Sequence, residues 1–188
     1  MVEAFVEFYK KLFTSTDQKQ IVLPARVNRG KKLIEGHLRS LQVAFTKEDV
    51  KRIIFSIPDD KAPGSDGFNN NCFYKHYWEV IWENICEAVL EIFKTCKLLK
   101  AVNVNTLTLI LKLKCLENVT EFRHIVCCNV QYKCITKLLS EILNQVLPDI
   151  VSASQGAFIT GRNILHNVMI CQDLFRCYKR KKTRAVAR

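Results

Sequence analysis

Residues 106–114 read TLTLILKLK, and they decide what kind of fold this chain has. Leu107, Leu109, Leu111 and Leu113 fall on one side of an extended strand, and Thr106, Thr108, Ile110, Lys112 and Lys114 fall on the other. Strict alternation is the period of a half-buried β-strand, not of a helix. The polar stretch CLENVTE (115–121) follows, and FRHIVCCN (122–129) reads as a second short strand. An antiparallel hairpin is therefore expected. Lys112 and Arg123 then lie on neighbouring strands; whether they share a face depends on the register, which the sequence leaves open.

Outward from the hairpin the patterns are helical. Phe5, Phe8, Tyr9 and Phe13 make a short amphipathic run, and TSTDQKQIVLPARVNRGKK (14–32) reads as connecting sequence of weak periodicity. Thr46 and Asp49 have the spacing of a helix-capping pair, followed by Val50, Ile53, Ile54 and Ile57 on one helical face until Pro58. Tyr77, Ile81, Ile85, Ala88, Val89, Ile92 and Phe93 make a broad stripe on a long helix or two abutting ones, with Trp78 and Trp82 on its flank as core packing. Asn129 is placed to cap the next helix, whose Ile135, Leu138, Leu139, Ile142, Leu143 and Val146 face one way until Pro148. SASQGAFITGRN (152–163) is a loop, and Asn163 opens a last helix bearing Ile164, Val168, Met169 and Phe175. The expected fold class is α+β, mostly helical, with one small antiparallel hairpin.

The totals narrow the functions. At 188 residues and 48% hydrophobic, the chain suffices for one domain with a core. No apolar run is long enough for a membrane span, and MVEAFVEFYKKLF does not read as a secretory signal, so an intracellular protein is expected, with nothing that chooses nucleus or cytoplasm. Nine cysteines show no CxxC spacing, and buried reduced thiols are expected rather than a metal site built from His166 and Cys171. The net charge of +11 is uneven: residues 1–100 hold 16 Lys and Arg against 13 acids, residues 101–188 hold 13 against 5. A basic second half suggests a polyanionic partner such as nucleic acid. The plainer reading is solvated surface with a basic tail around Lys179, Arg180, Lys181 and Lys182.

KAPGSDGF (61–68) stands between two helical patterns. Pro63-Gly64 and Asp66-Gly67 suit tight turns. The stretch lacks the spacing of a nucleotide-binding P-loop or a dinucleotide fold, and no HExxH or GxSxG occurs elsewhere. No catalytic constellation assembles from these residues alone.

Taken in order, KAPGSDGF, FYKHYWEVI, LTLILKLK, FRHIVCCNVQYKCITKLLSEIL and LPDIVSASQGAFITGRNILHNV resemble the reverse transcriptase of LINE-type, non-LTR retrotransposons, most closely the plant versions. The resemblance covers about residues 46–188, with 1–45 as a connector ahead of the polymerase domain. It implies a fingers subdomain with the palm only beginning. The family pattern is KAPGPDGF, LIPK, FRPIS, NVxYK and SQxAFxxGR. By that resemblance Lys112 and Arg123 contact the triphosphate of the incoming nucleotide, and Lys61, Gln155 and Arg162 lie near template or primer. RNA and RNA–DNA hybrid are the implied partners. Ser65, Leu111 and His124 stand where the family has prolines, and Ile142 where it has an arginine. RAVAR (184–188) aligns with the opening of the palm strand that carries a metal-binding aspartate, so the resemblance implies a truncated fragment, inactive alone, with magnesium expected only for the complete domain and no cofactor here. Two other readings fit the composition: a residual basic RNA- or DNA-binding module, and a helical domain that self-associates through apolar surface left by the missing palm.

Overall fold

The computed structural model describes residues 2–14, 30–112 and 118–180, with backbone alone over 177–180. Leu113 and Lys114, most of the connector (15–29) and the basic tail from Lys181 lie outside the described residues. The elements are α1 (Val2–Thr14), α2 (Glu35–Leu41), α3 (Lys47–Ser56), a π-helical turn (Asn70–Lys75), α4 (Trp78–Thr95), β1 (Asn105–Leu111), a 3-10 turn (Val119–Glu121), β2 (Phe122–Cys128), α5 (Val130–Ile150) and α6 (Ile164–Arg180). The chain is mostly helical with a two-stranded antiparallel sheet, as the alternation in 106–114 predicts.

Two compact units divide it: Met1–Val22 with Ala44–Ser140, and Leu23–Val43 with Glu141–Arg188. Helix α5 starts in the first and ends in the second. The charge divides unevenly. The first unit holds 16 Lys and Arg against 14 acids, a balance of +2, and the second holds 13 against 4, a balance of +9.

The core of the first unit is built on the face of α3 that the sequence predicts. Val50, Ile53 and Ile54 are fully buried, against Tyr74, Trp78, Ile85, Cys86, Val89, Val130, Cys134 and Leu138. Each such aliphatic side chain contributes roughly 1.5–3 kcal/mol on burial. The Thr46–Asp49 capping pair forms in both directions: Asp49 N–H donates to Thr46 Oγ1 at 3.2 Å and Thr46 N–H to Asp49 Oδ2 at 3.0 Å. The bond from Thr46 N–H foremost, with those that the carboxylate accepts from Thr46 Oγ1 and the Arg52 guanidinium, holds the Asp49 carboxyl below its usual range. Trp78 is core, as expected, and Trp82 packs against it. Tyr77, expected in the apolar stripe, is half exposed, because the π-helical turn shifts the phase of the helix at its start.

The end of α3 uses side chains the sequence patterns do not single out. Asn70 Nδ2 donates to the carbonyls of Ile54 and Ile57, both at 3.1 Å. Lys75 Nζ reaches Ile57 O at 3.1 Å, and Lys137 Nζ reaches Ser56 O at 3.4 Å as well as Ser56 Oγ at 2.8 Å. Helix carbonyls left without intrahelical donors are satisfied this way before Pro58 turns the chain.

In the second unit Val146 and Ile159 are buried, and His37 Nε2 lies 3.0 Å from Asp149 Oδ2. Helix α2 follows the weakly periodic stretch 14–32, within the 1–45 that the resemblance makes a connector; at seven residues with a glycine inside, it lacks the length to show a period. Helix α5 runs two residues past Pro148, where the sequence pattern predicts its end. The Val151 N–H to Leu147 O bond at 3.0 Å carries the turn across the proline, whose missing N–H removes only one bond near the helix end. Asn163 opens α6 as expected, its Oδ1 accepting from Leu165 N–H at 2.9 Å. Among the described residues no helix is long and apolar enough to cross a membrane.

Candidate nucleic-acid interface

The hairpin register resolves the open question about Lys112 and Arg123. Leu109 pairs with His124, Ile110 with Arg123 and Leu111 with Phe122. Directly paired residues of an antiparallel ladder share a face, as do residues two apart on one strand. Thr108, Ile110, Lys112, Arg123 and Ile125 therefore lie on one face, with Leu107, Leu109, Phe122 and His124 on the other. Helix α1 packs on that second face: Phe5 meets Phe122 edge-on at 4.9 Å between ring centres, and Tyr9 meets His124 at 5.9 Å. The face carrying the two cations is open, with Ile110 and Ile125 each about half exposed.

On that face Arg123 is exposed and has no hydrogen-bond or ion-pair partner among the described residues. Lys112 continues the ladder, its N–H donating to Glu121 O at 3.0 Å, while its Nζ donates to Thr120 O at 2.7 Å. Glu121, opposite it, accepts from Asn118 N–H at 3.2 Å within the turn. A free planar guanidinium beside a lightly tethered ammonium is the donor set that phosphate oxygens take.

KAPGSDGF and the start of α5, more than sixty residues apart in sequence, lock together. The turn closes through Gly67 N–H to Gly64 O at 3.2 Å, and Asp66 Oδ1 accepts from Phe68 N–H at 3.0 Å. Gly67 takes φ +75°, which favours glycine. Gly64 sits so close to Asn129 that an added Cβ would lie 2.4 Å from its backbone nitrogen and 2.6 Å from its Cα. Asn129 Oδ1 is approached by Asp66 N–H at 3.4 Å and Ser65 Oγ at 3.3 Å, and its Nδ2 donates to Ala101 O at 3.2 Å. Its side chain thus bridges the turn to the segment ahead of β1 instead of serving as the helix cap that the sequence suggests; its backbone carbonyl accepts from Lys133 N–H at 3.0 Å. Lys133, which sequence reasoning does not single out, donates from Nζ to Ala62 O at 2.6 Å. Ser65, where the family pattern has proline, supplies a hydroxyl also 3.3 Å from Val104 O.

The other positions singled out from sequence differ in what they do. Lys61 is exposed, with no partner among the described residues. Gln155 is exposed, its Nε2 3.4 Å from Ala157 O. Arg162 is engaged: its guanidinium donates to the carbonyls of Ser152 (2.6 Å), Pro148 (2.8 Å), Gln155 (3.0 Å) and Val151 (3.2 Å). It closes the end of α5 and fastens the following loop. Trp82, read as core packing from sequence, has Lys47 Nζ over its ring, 5.0 Å from the ring centre. Burial pushes the Cys134 thiol up to about 12, with Cys86 adding to the shift, and burial first and Asp66 second push Tyr74 up to about 12. Among the described residues no three His, Cys, Asp or Glu gather as metal ligands would.

Over 146 residues the chain is 25% identical to the Transposon TX1 uncharacterized 149 kDa protein of Xenopus laevis. The chain is a distant relative of a transposon protein. The match takes in 78% of this chain and 11% of that protein, so the chain spans a small part of its relative's length. No family model matches the sequence.

Proposed function

We propose that this chain is the fingers portion of a non-LTR retrotransposon reverse transcriptase, and that the open face of its hairpin contacts polyphosphate through Arg123 and Lys112. The observation that carries the reading is the register. It sets both cations on one face, away from α1, and leaves the Arg123 guanidinium without a partner among the described residues. The order of motifs along the chain and the transposon relative support the same origin. In this reading the lock between KAPGSDGF and α5 is the frame that keeps the hairpin's root in place, through Val104 and Ala101 just ahead of β1. Lys61 and Gln155 contact template or primer, and RNA–DNA hybrid is the macromolecular partner. Two-metal phosphoryl transfer needs clustered carboxylates. Primer extension by these 188 residues alone, with magnesium, is not expected.

The test is binding of a fluorescent deoxynucleoside triphosphate. Saturable binding that fails with the unphosphorylated nucleoside and is lost in Arg123→Ala is the expected result. Binding retained in Arg123→Ala, or equal binding of the nucleoside, would sink the assignment.

A second reading, self-association, has its own observation. Helix α6 exposes Leu165, Met169, Leu174 and Phe175, each more than 60% accessible. Concentration-dependent sedimentation that a Leu165→Ser/Met169→Ser/Phe175→Ser variant abolishes would favour it.

A further inference from the structure

The loop between α5 and α6 holds one residue in a conformation that nothing in the described residues rewards. Phe158 has φ +61°, a left-handed backbone that costs a bulky side chain about 1–2 kcal/mol. Its side chain is 97% exposed, so its apolar surface contributes no burial in return. The residues around it are firmly held. Ile159 beside it is buried, and Arg162 N–H closes a turn onto Ile159 O at 3.1 Å. The Arg162 guanidinium binds four carbonyls from Pro148 to Gln155, and Asn167 Nδ2 donates to Ser154 O at 3.2 Å. Gly156 lies against the start of α6, where an added Cβ would come 2.9 Å from Asn167 Nδ2 and 3.5 Å from Ile164 Cα. The loop is therefore a fastened support, and the ring of Phe158 stands out from it. Backbone strain kept in place by over-determined surroundings marks functional positions more often than accidents.

We propose that Phe158 is a stacking platform for an unpaired nucleobase of a single-stranded or frayed nucleic acid, presented by a loop that Arg162 holds in shape. The inference rests on the nucleic-acid reading above and assigns a residue that reading leaves without a role. One feature favours a base over a protein partner. The second unit carries 13 Lys and Arg against 4 acids, which draws a phosphate backbone towards it. One ring face is enough for a base, and base–aromatic stacking tolerates any sequence.

The experiment uses the full chain and a labelled single-stranded RNA of mixed sequence carrying one 2-aminopurine. Phe158→Ala and Phe158→Leu are expected to weaken binding about fivefold or more, with Phe158→Tyr close to the parent. The dependence on salt stays the same, because no charge is removed. 2-Aminopurine emission falls on binding the parent protein and does not fall with Phe158→Ala. Phe158→Gly, which suits the positive φ, is expected to raise the unfolding midpoint while losing RNA affinity. Unchanged affinity and quenching in Phe158→Ala would overturn the inference. If Lys112→Ala/Arg123→Ala still weakens RNA binding in that case, the hairpin reading stands alone. If the parent binds no RNA, both fall. A Phe158→Ala variant altered only in self-association would make the ring a protein-docking residue and overturn the inference too.

Discussion

Replacing Gly64 by alanine puts a methyl group into backbone. Its Cβ would lie 2.1 Å from Asn129 Oδ1, 2.4 Å from Asn129 N and 2.6 Å from Asn129 Cα, and the last two are backbone atoms of the residue that leads into α5, whose carbonyl accepts from Lys133 N–H in the first turn. A flexible side-chain tip can swing aside; a helix backbone cannot, so the turn must lift. Overpacking of this kind costs about 1–3 kcal/mol. Lifting the turn also loosens the approaches of Ser65 and Asp66 to Asn129, long bonds of 3.3 and 3.4 Å that contribute at most about 1 kcal/mol each. The expected loss is about 3 kcal/mol. Two other glycines calibrate it. Gly67→Ala meets nothing within 4 Å but has φ +75°, so it carries only the left-handed strain of about 1–2 kcal/mol. Gly36→Ala, in α2 with open space around it, gains up to about 1 kcal/mol from helix propensity. Urea unfolding followed by circular dichroism should rank the variants Gly64→Ala least stable, then Gly67→Ala, then parent, then Gly36→Ala. In heat denaturation the first corresponds to a fall of about 6–12 °C for a chain of this size. If Gly64→Ala proves no less stable than Gly67→Ala, the lock between KAPGSDGF and α5 is wrong.

Arg162→Ala should destabilise by about 2–4 kcal/mol and admit protease within 152–163, because four carbonyls lose a charged donor; Arg162→Lys, with one point charge in place of a fork, should recover only part. Iodoacetamide under native conditions, read by peptide mass mapping, should label Cys72, Cys96 and Cys171 and spare Cys86 and Cys134, whose thiols are buried with raised pKa. Stability should fall as pH rises above about 9. Cys134 and Tyr74 ionise near 9.0 and 10.0 when unfolded but only near about 12 when folded, so in that window the unfolded state binds fewer protons and the slope of stability against pH is negative. A Cys134→Val/Tyr74→Phe variant should flatten the decline in urea midpoint between pH 9 and 11.

The hairpin was legible because alternation survives any tertiary context that leaves one face wetter than the other. Its register was not, since the connecting residues give no turn type that fixes pairing. The α3 face was legible to the residue, as Val50, Ile53 and Ile54 show. What stayed hidden were long-range ties by single polar side chains. Nothing local in NVQYK announces that Asn129 and Lys133 will hold the KAPGSDGF turn, and nothing near Arg162 announces its four carbonyls. Polar side chains carry no period, and their partners are fixed by folding alone. The glycine count hinted at close approaches without saying which backbone comes near. Exposed Phe158 was equally unreadable, because an aromatic in a loop reads as core until its burial is known.

The central claim is that the open hairpin face, and not general positive charge, meets the phosphates. The direct measurement is anisotropy of a labelled RNA–DNA hybrid against salt, comparing Lys112→Ala/Arg123→Ala with Lys94→Ala/Lys97→Ala, which removes the same charge from exposed residues at the end of α4. The account predicts that only the hairpin variant weakens binding and lowers the salt slope, by roughly one for each phosphate no longer neutralised. Equal weakening by the two variants, or none by the hairpin variant, would contradict it.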